Sequence, residues 1–303
     1  MRLQQRWQAL RSARKTLTSV GAVEALGGLG RGPLRFAVVM ATMAIYIASS
    51  TVLPVPASSA DMVTREVTEA LVKATRESPA DFSGLDLSYL DLSSLDFKAA
   101  DLSDADLYGT DFTTANLSGA NLSHTRLDRA VLIRADFSGA NLEAATILRP
   151  TVFSDMHFDR REAPSFKGAN LKRVRVQARI DWADFSGADL TAANFSPFED
   201  RAGEGTITTV PRNELRNANF TKAIMVKTNL ARTILHFANL AGADLGGASL
   251  REAELIGANL EGANLAGADI TGADFARVNL KGVRGLDTAI GLKSALNMET
   301  AQR

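Results

Sequence analysis

The chain has 303 residues, 46% hydrophobic and 6% aromatic, with 34 basic and 34 acidic residues and no cysteine. The hydrophobic content excludes a wholly disordered protein, and the missing cysteine excludes disulfides, thiolate metal sites and cysteine nucleophiles. Residues 1–60 hold seven basic residues and one acidic residue, which leaves 27 basic and 33 acidic residues, a net charge of −6, in residues 61–303. This acidic balance excludes a generic nucleic-acid binder, because that class needs a basic surface.

The N-terminal region carries an uncharged apolar segment, residues 36–53, which follows all seven basic residues. Small residues come next and end at Ala60. A basic stretch, an apolar stretch and a small-residue site in this order are typical of a secretory signal peptide, and they predict cleavage after Ala60 and a periplasmic or secreted body. Two alternatives stay open. The first is an uncleaved membrane anchor over residues 36–53 with the body outside the cytoplasm, although a membrane span needs ~20 apolar residues. The second is a soluble apolar helix.

Residues 61–79 have apolar side chains at helical spacing. These are Val63, Val67, Ala70, Leu71 and Ala74. The spacing predicts a short amphipathic helix ahead of the main body.

From residue 80 onward the triplet Ala-Asp/Asn-Leu/Phe recurs every five residues, as in Ala100-Asp101-Leu102 and Ala105-Asp106-Leu107. A period of five matches neither the 3.6-residue helical repeat nor the two-residue strand repeat. A square coil with five residues on each side can direct every fifth residue into one core.

This A(D/N)LXX pattern resembles the pentapeptide repeat family over residues 80–152 and 166–285. The resemblance implies an all-β solenoid, a right-handed quadrilateral β-helix with four pentapeptides per coil. We call the Leu or Phe of each repeat its centre, and the 36 centres predict about nine coils. The residue two positions before each centre is mostly Ala because the four walls converge there, and Asp or Asn before the centre suits a tight turn.

The repeats fall into three tracts, residues 80–152, 166–195 and 213–285, and the register slips by one residue between the centres Val176 and Ile180. Prolines bracket both breaks, as expected where a ladder of hydrogen bonds is interrupted. The sequence predicts insertion loops at 153–165 and 196–212, and an irregular full coil stays open for the second. The two open ends need covers, so we expect residues 61–79 and 286–303 to act as caps.

Catalytic and metal motifs are missing from the sequence, so we predict a non-enzymatic protein without cofactor or metal. The acidic cluster with one histidine in the first insertion, Asp155, His157, Asp159 and Glu162, matches no metal-binding spacing. A basic run near the register slip is a candidate anion-binding patch, with an ordinary solvated face as the favoured alternative. Its members are Lys172, Arg173, Arg175 and Arg179.

Residues twenty apart should stack on the same face, which predicts an outward apolar patch of Ile234, His236, Phe237 and Ile256. The patch is a candidate contact with a protein partner or with a second copy of the chain. A cover formed by the 196–212 insertion or by the C-terminal tail is the alternative.

The function predicted from these features is an exported scaffold that binds a protein or cell-envelope partner through its solenoid surface. Direct nucleic-acid binding is not expected, and contact with a membrane is expected only through residues 36–53 if they are not cleaved. The family resemblance implies an alternative, a DNA mimic that binds gyrase as fluoroquinolone-resistance proteins do, if the N-terminus is not an export signal.

Overall fold

The computed structural model describes residues 61–97, 99–197 and 212–303, and Met62–Arg303 form one compact unit. The predicted signal peptide or anchor lies outside the described residues, as does most of the predicted second insertion. Within the described part of the chain, no helix is long and apolar enough to span a membrane.

The helix expected near the start is present as α1, Thr64–Lys73. Its first turn is closed by Glu66, whose carboxylate accepts a hydrogen bond from the Val63 N–H at 3.3 Å. The Thr64 hydroxyl donates to the Asp91 carbonyl at 3.0 Å, so the helix lies against the first coil. Val67 and Leu71 are its buried side chains.

The body is a four-sided solenoid in which each side adds one residue to one of four parallel bridge ladders. The first ladder contains Asp81, Asp101, Asn121, Asn141, Asn170, Asp189, Ile224, Asp244, Asn264 and Arg284. The second contains Asp86, Asp106, Arg126, Thr146, Arg175, Asn194, Asn229, Ser249, Asp269 and Ile290. The third has two parts, Asp91, Asp111, Val131 and Thr151, then Arg179, Glu214, Ile234, Glu254, Asp274 and Leu296. The fourth contains Asp96, Asn116, Asp136, Ser165, Asp184, Asn219, Asn239, Asn259, Asn279 and Gln302.

We number the sides of each coil after the ladder residue with which they begin. Most sides contribute a single bridge. Among the described residues only β1, Thr146–Leu148, and β2, Arg175–Gln177, are longer strands, and they pair in parallel with Thr146 opposite Arg175. Each side is too short for a longer strand because a corner follows within two residues of its centre.

The repeat pattern explains the core and the corners. Centres such as Leu102 and Leu107 are fully buried, and so is Ala100, two residues before a centre. The ladder carboxylate of Asp101 accepts the N–H of Ser103 at 2.9 Å, which closes the turn as predicted for this position. The next residue has a positive φ, a conformation that glycine adopts without steric cost.

An aromatic stack fills the fourth side in the middle of the solenoid. Phe137, Phe166, Phe185 and Phe220 follow one another with ring centroids 5.1, 5.0 and 4.8 Å apart and nearly parallel planes. This stack runs unbroken through the coils from which both insertions depart, so the core stays continuous where the surface chain does not.

The register slip produces a side of four residues, from Arg175 to Arg179. Asn213 is fully buried beside it, at a position that Ala occupies in most repeats. Its side-chain oxygen accepts the Ala178 N–H at 2.6 Å, and its amide donates to the Val176 carbonyl at 3.1 Å and to the Phe195 carbonyl. One side-chain amide therefore supplies hydrogen bonds that a complete side would have provided through its backbone.

Both insertions leave the solenoid between neighbouring sides. The first departs after Thr151 in the third ladder and returns at Ser165 in the fourth, with a 3-10 turn at Arg160–Glu162. The second departs after Asn194 in the second ladder and returns at Glu214 in the third. The alternative prediction of an irregular full coil at this place is wrong, since a full coil would have placed Glu214 in the second ladder.

The C-terminal residues differ from the expected tail. Arg284, Ile290, Leu296 and Gln302 each bridge to the coil before them, so they add a tenth level to a solenoid for which about nine coils were expected. Three 3-10 turns, Leu286–Thr288, Leu292–Ser294 and Met298–Thr300, lengthen the sides to six residues. The count of centres missed this level because its sides lack the A(D/N)LXX pattern.

Candidate interaction surface

The third side of the solenoid differs from its neighbours in the residues that it turns outward. On the fourth side these are small and polar, for example Ser138, Gly139, Ser186 and Gly187. In several later coils the third side instead presents large apolar and aromatic residues at the corresponding positions. They are Phe153, Trp182, Phe237 and Ile256. Apolar surface is therefore concentrated along one side, and both insertions border that side.

The predicted apolar patch lies on this third side, and the structure brings its four residues together. The Phe237 N–H donates to the Ile256 carbonyl at 2.9 Å, and Ile234 bridges Glu254 in the third ladder. The His236 Nε2 lies 2.8 Å from a Glu254 carboxylate oxygen. Phe237 is 56% exposed, whereas Ile234, His236 and Ile256 are half-buried.

Phe237 occupies a corner with φ +56°, and its ring lies over Gly257 in the next coil. A Cβ at position 257 would stand 2.6 Å from a carbon of that ring, so the contact requires glycine there. The patch thus combines an aromatic residue in an unfavourable backbone conformation with the glycine that makes room for it.

The end of the second insertion is attached at the edge of the patch. Arg212 donates to a Glu254 carboxylate oxygen and, through Nε, to the Arg232 carbonyl at 2.6 Å. Partial burial of Glu254 raises the pKa of its carboxyl, but the hydrogen bonds and charges of Arg212 and His236 outweigh this effect and hold the pKa below its ordinary value. The predicted alternative that the 196–212 insertion covers the patch concerns residues that lie mostly outside the described part of the chain. The C-terminal tail does not cover the patch, because its residues form the last coil.

The first insertion folds onto the same side, nearer the N-terminal end of the solenoid than the patch. Phe153 packs edge-on against Phe158 and Trp182, with centroid distances of 5.5 and 6.4 Å, and the Arg179 guanidinium lies 3.5 Å from the Phe158 ring centre. Met156 is 82% exposed at the outer part of this loop. Phe153 and Phe158 were not among the predicted site residues; two aromatic residues in one short insertion were the available signal.

The basic residues of the run at 172–179 do not form one open patch. Lys172 pairs with Asp189 at 3.1 Å, and Arg173 pairs with Glu143. Arg175 donates to the carbonyls of Asn194 and Ser196.

Arg179, on the third side, pairs with the buried Asp181 at 2.9 Å and with Glu214 at 3.3 Å. Each of the four cations is held by acceptors of its own chain, and the four are spread along more than one side.

The acidic cluster of the first insertion is likewise occupied with internal contacts. Asp155 accepts from the His157 backbone and ring, Asp159 pairs with Arg161, and Glu162 accepts from Ser154. Among the described residues, no group of His, Asp and Glu side chains could hold a metal ion.

A comparison with family models supports the assignment of the repeat. The model for pentapeptide repeats matches residues 80–113, 111–147, 214–251 and 243–282, with eight copies. No curated protein matches the chain.

Among solved structures, the chain is similar to HetL, a pentapeptide repeat protein involved in heterocyst differentiation regulation in the cyanobacterium Nostoc sp. strain PCC 7120, with 26% identity, a TM-score of 0.34 and coverage of 80% of this chain and 94% of that one. It is also similar to QnrB1, a plasmid-mediated fluoroquinolone resistance protein, with 16% identity, a TM-score of 0.42 and coverage of 72% and 91%. A pentapeptide repeat protein from the Arabidopsis thaliana thylakoid lumen has 25% identity and a TM-score of 0.21, over 46% of this chain and 88% of that one. With their five-residue period, their bridge ladders and eight matched copies of the repeat, residues 80–147 and 214–282 of this chain belong to the pentapeptide repeat family.

Proposed function

We propose that this protein is an exported, non-enzymatic scaffold, a stack of pentapeptide coils covered at its start by α1, which binds a protein partner of the cell envelope through its third side. The observation that carries the proposal is the patch of Ile234, His236, Phe237 and Ile256, with Phe237 56% exposed. Most outward positions elsewhere on the solenoid are small or charged, so this concentration of apolar surface is a feature that folding does not require.

The backbone of Phe237 supports a role in binding. A bulky residue in the left-handed region costs about 1–2 kcal/mol relative to glycine, which occupies the same corner at Gly257 in the next coil. More than half of Phe237 stays exposed to solvent. An aromatic residue kept in such a place is typical of a contact made with a second molecule.

The acidic residues support a non-enzymatic scaffold. Asp244, a typical ladder carboxylate, accepts from the Gly246 N–H at 3.1 Å and from the Asn264 amide at 2.8 Å. Carboxylates in this arrangement close turns and join coils, and they are spaced along ladders without the convergence on one point that acid–base chemistry needs.

Export rests on the sequence of residues 1–60. Protein isolated from its native cell should have a 243-residue mature chain that begins at Asp61, as measured by intact mass and N-terminal sequencing. A full-length chain in the cytoplasm would refute export, and it would favour the gyrase-binding alternative that the family resemblance implies, which purified gyrase would then test directly.

The binding surface is tested by a double variant, Phe237→Ala with Ile256→Ala. Loss of central apolar anchors should weaken association with the partner, or self-association measured by analytical ultracentrifugation, by about 1–3 kcal/mol. Ile224→Ala is the matched control, because Ile224 is 44% exposed but lies in the first ladder, away from the patch. Association that is unchanged in the double variant, or reduced equally in the control, would exclude the patch.

A further inference from the structure

A second unusual surface lies at the other end of the solenoid, on the second side of the first two coils. Tyr89 is 71% exposed, and its ring meets that of Tyr108 edge to face, with centroids 5.3 Å apart and planes at 69°. The pair forms a small aromatic shelf, with one ring set at a steep angle to the other.

The shelf is held in place by the coil beyond it. Tyr89 has φ +58°, and the edge of its ring lies over Gly109, where a Cβ would stand 2.8 Å from two ring carbons. The corner therefore accepts the unfavourable backbone of Tyr89 and needs glycine at position 109, although the exposed ring contributes little to the core. Most other residues at the same point of the repeat are Ser, Thr, Gly or charged.

Two guanidinium groups lie next to the shelf. That of Arg126 stands 4.6 Å from the Tyr108 ring centre and makes two hydrogen bonds, of 3.0 and 2.8 Å, to the Asp106 carboxylate. Arg129 follows Gly109 at the same corner one coil later, close enough to Tyr89 to act on its phenol electrostatically. Arg129 is exposed, and it has no acidic partner within the part of the chain that the structure describes.

We propose that this shelf is a binding site for an acidic oligosaccharide. The apolar C–H face of a pyranose ring stacks on Tyr89, its edge meets Tyr108, and a uronate carboxylate pairs with the Arg129 guanidinium. Two ladder spacings, about 10 Å, separate the levels of Tyr89 and Arg129, so a ligand of two linked rings spans the site. The net charge of −6 on residues 61–303 disfavours a long polyanion such as nucleic acid, which binds through many phosphates at once.

The test measures binding of the full chain to defined tetrasaccharides by isothermal titration calorimetry. The probes are tetramers of galacturonate, mannuronate and hyaluronan, each compared with its neutral methyl ester, and a single-stranded oligonucleotide. We expect at least one acidic tetramer to bind and its ester to bind about tenfold more weakly. Tyr89→Ala and Arg129→Gln should each lower the affinity by about tenfold, the loss typical of one stacked ring or one charged hydrogen bond.

Two matched variants locate the site. Ile224→Ala removes another exposed apolar side chain, one that lies in the first ladder, and Arg149→Gln removes the next arginine at the corner of Arg129; neither should change the affinity. The proposal is overturned if no acidic tetramer binds, if the esters bind equally, or if Ile224→Ala weakens binding as much as Tyr89→Ala. Tighter binding of the oligonucleotide at the same residues would replace the sugar with a nucleic acid and so also overturn it. The outcome is independent of the patch on the third side, because the variants differ.

Discussion

Asn213 should contribute more to stability than any surface residue near it, because its amide replaces backbone hydrogen bonds in a side that is one residue short. In Asn213→Leu the side chain keeps a similar size but loses every polar atom. The Ala178 N–H and the Val176 and Phe195 carbonyls would then be buried without the partner that they have now.

The magnitude follows from these three groups. Each buried donor or acceptor that loses its partner costs about 1–3 kcal/mol, so we expect Asn213→Leu to lower the free energy of unfolding by at least about 3 kcal/mol. Such a loss is a large part of the ~5–15 kcal/mol by which a typical domain is stable. The damage should be concentrated around the register slip, since each coil contacts only its neighbours.

The assay combines urea unfolding, followed by circular dichroism, with amide hydrogen exchange at Ala178. Asn217→Lys is the control, because Asn217 is an exposed corner residue and Lys222 and Lys227 occupy the same conformation in later repeats. The control should shift stability by less than about 0.5 kcal/mol and leave Ala178 protected. Equal urea midpoints for the two variants, or an Ala178 amide that stays protected in Asn213→Leu, would refute the reasoning.

Two further predictions concern the phase of the repeat and the contact of Arg212. Leu245 is fully buried between the centres Met225 and Leu265, so Leu245→Asp should lower the free energy of unfolding by several kcal/mol. Asp244→Asn should change the melting temperature little, because Asn fills that position in many repeats. Equal losses of stability in the two variants would show that the assigned phase of the repeat is wrong. The pKa of Glu254 is lower in the folded protein than its ordinary value of 4.5, so its contribution is complete above that pH and disappears as the pH falls through the lower folded value. Glu254→Gln should therefore destabilise the protein at neutral pH and progressively less in acid, as measured by urea unfolding against pH. A pH-independent difference would contradict this, as would the same profile in Glu299→Gln, which changes an exposed glutamate in the last coil.

The sequence by itself determined the repeat unit and therefore the core. A five-residue period with Leu or Phe at the centre and Ala two residues before it leaves one way to bury every centre, and Leu102, Leu107 and Ala100 are buried accordingly. The patch around Phe237 was also predictable, because residues twenty apart must stack once four sides make a coil.

Only the tertiary structure decided what happens where the period fails. Asn213 completes the hydrogen bonds of a short side that lies 35 residues earlier in the chain, so no local sequence pattern indicates its role. In the last coil, 3-10 turns rather than buried centres set the sides of six residues. The basic residues from Lys172 to Arg179 are close in sequence, which suggested a patch. Their partners Glu143, Asp189 and Glu214 come from other coils. The five-residue period determines which equivalent positions of the repeat stack on each other in successive coils. Contacts between positions that are not equivalent depend on the three-dimensional path of the chain, because these positions come together only when the coils are stacked.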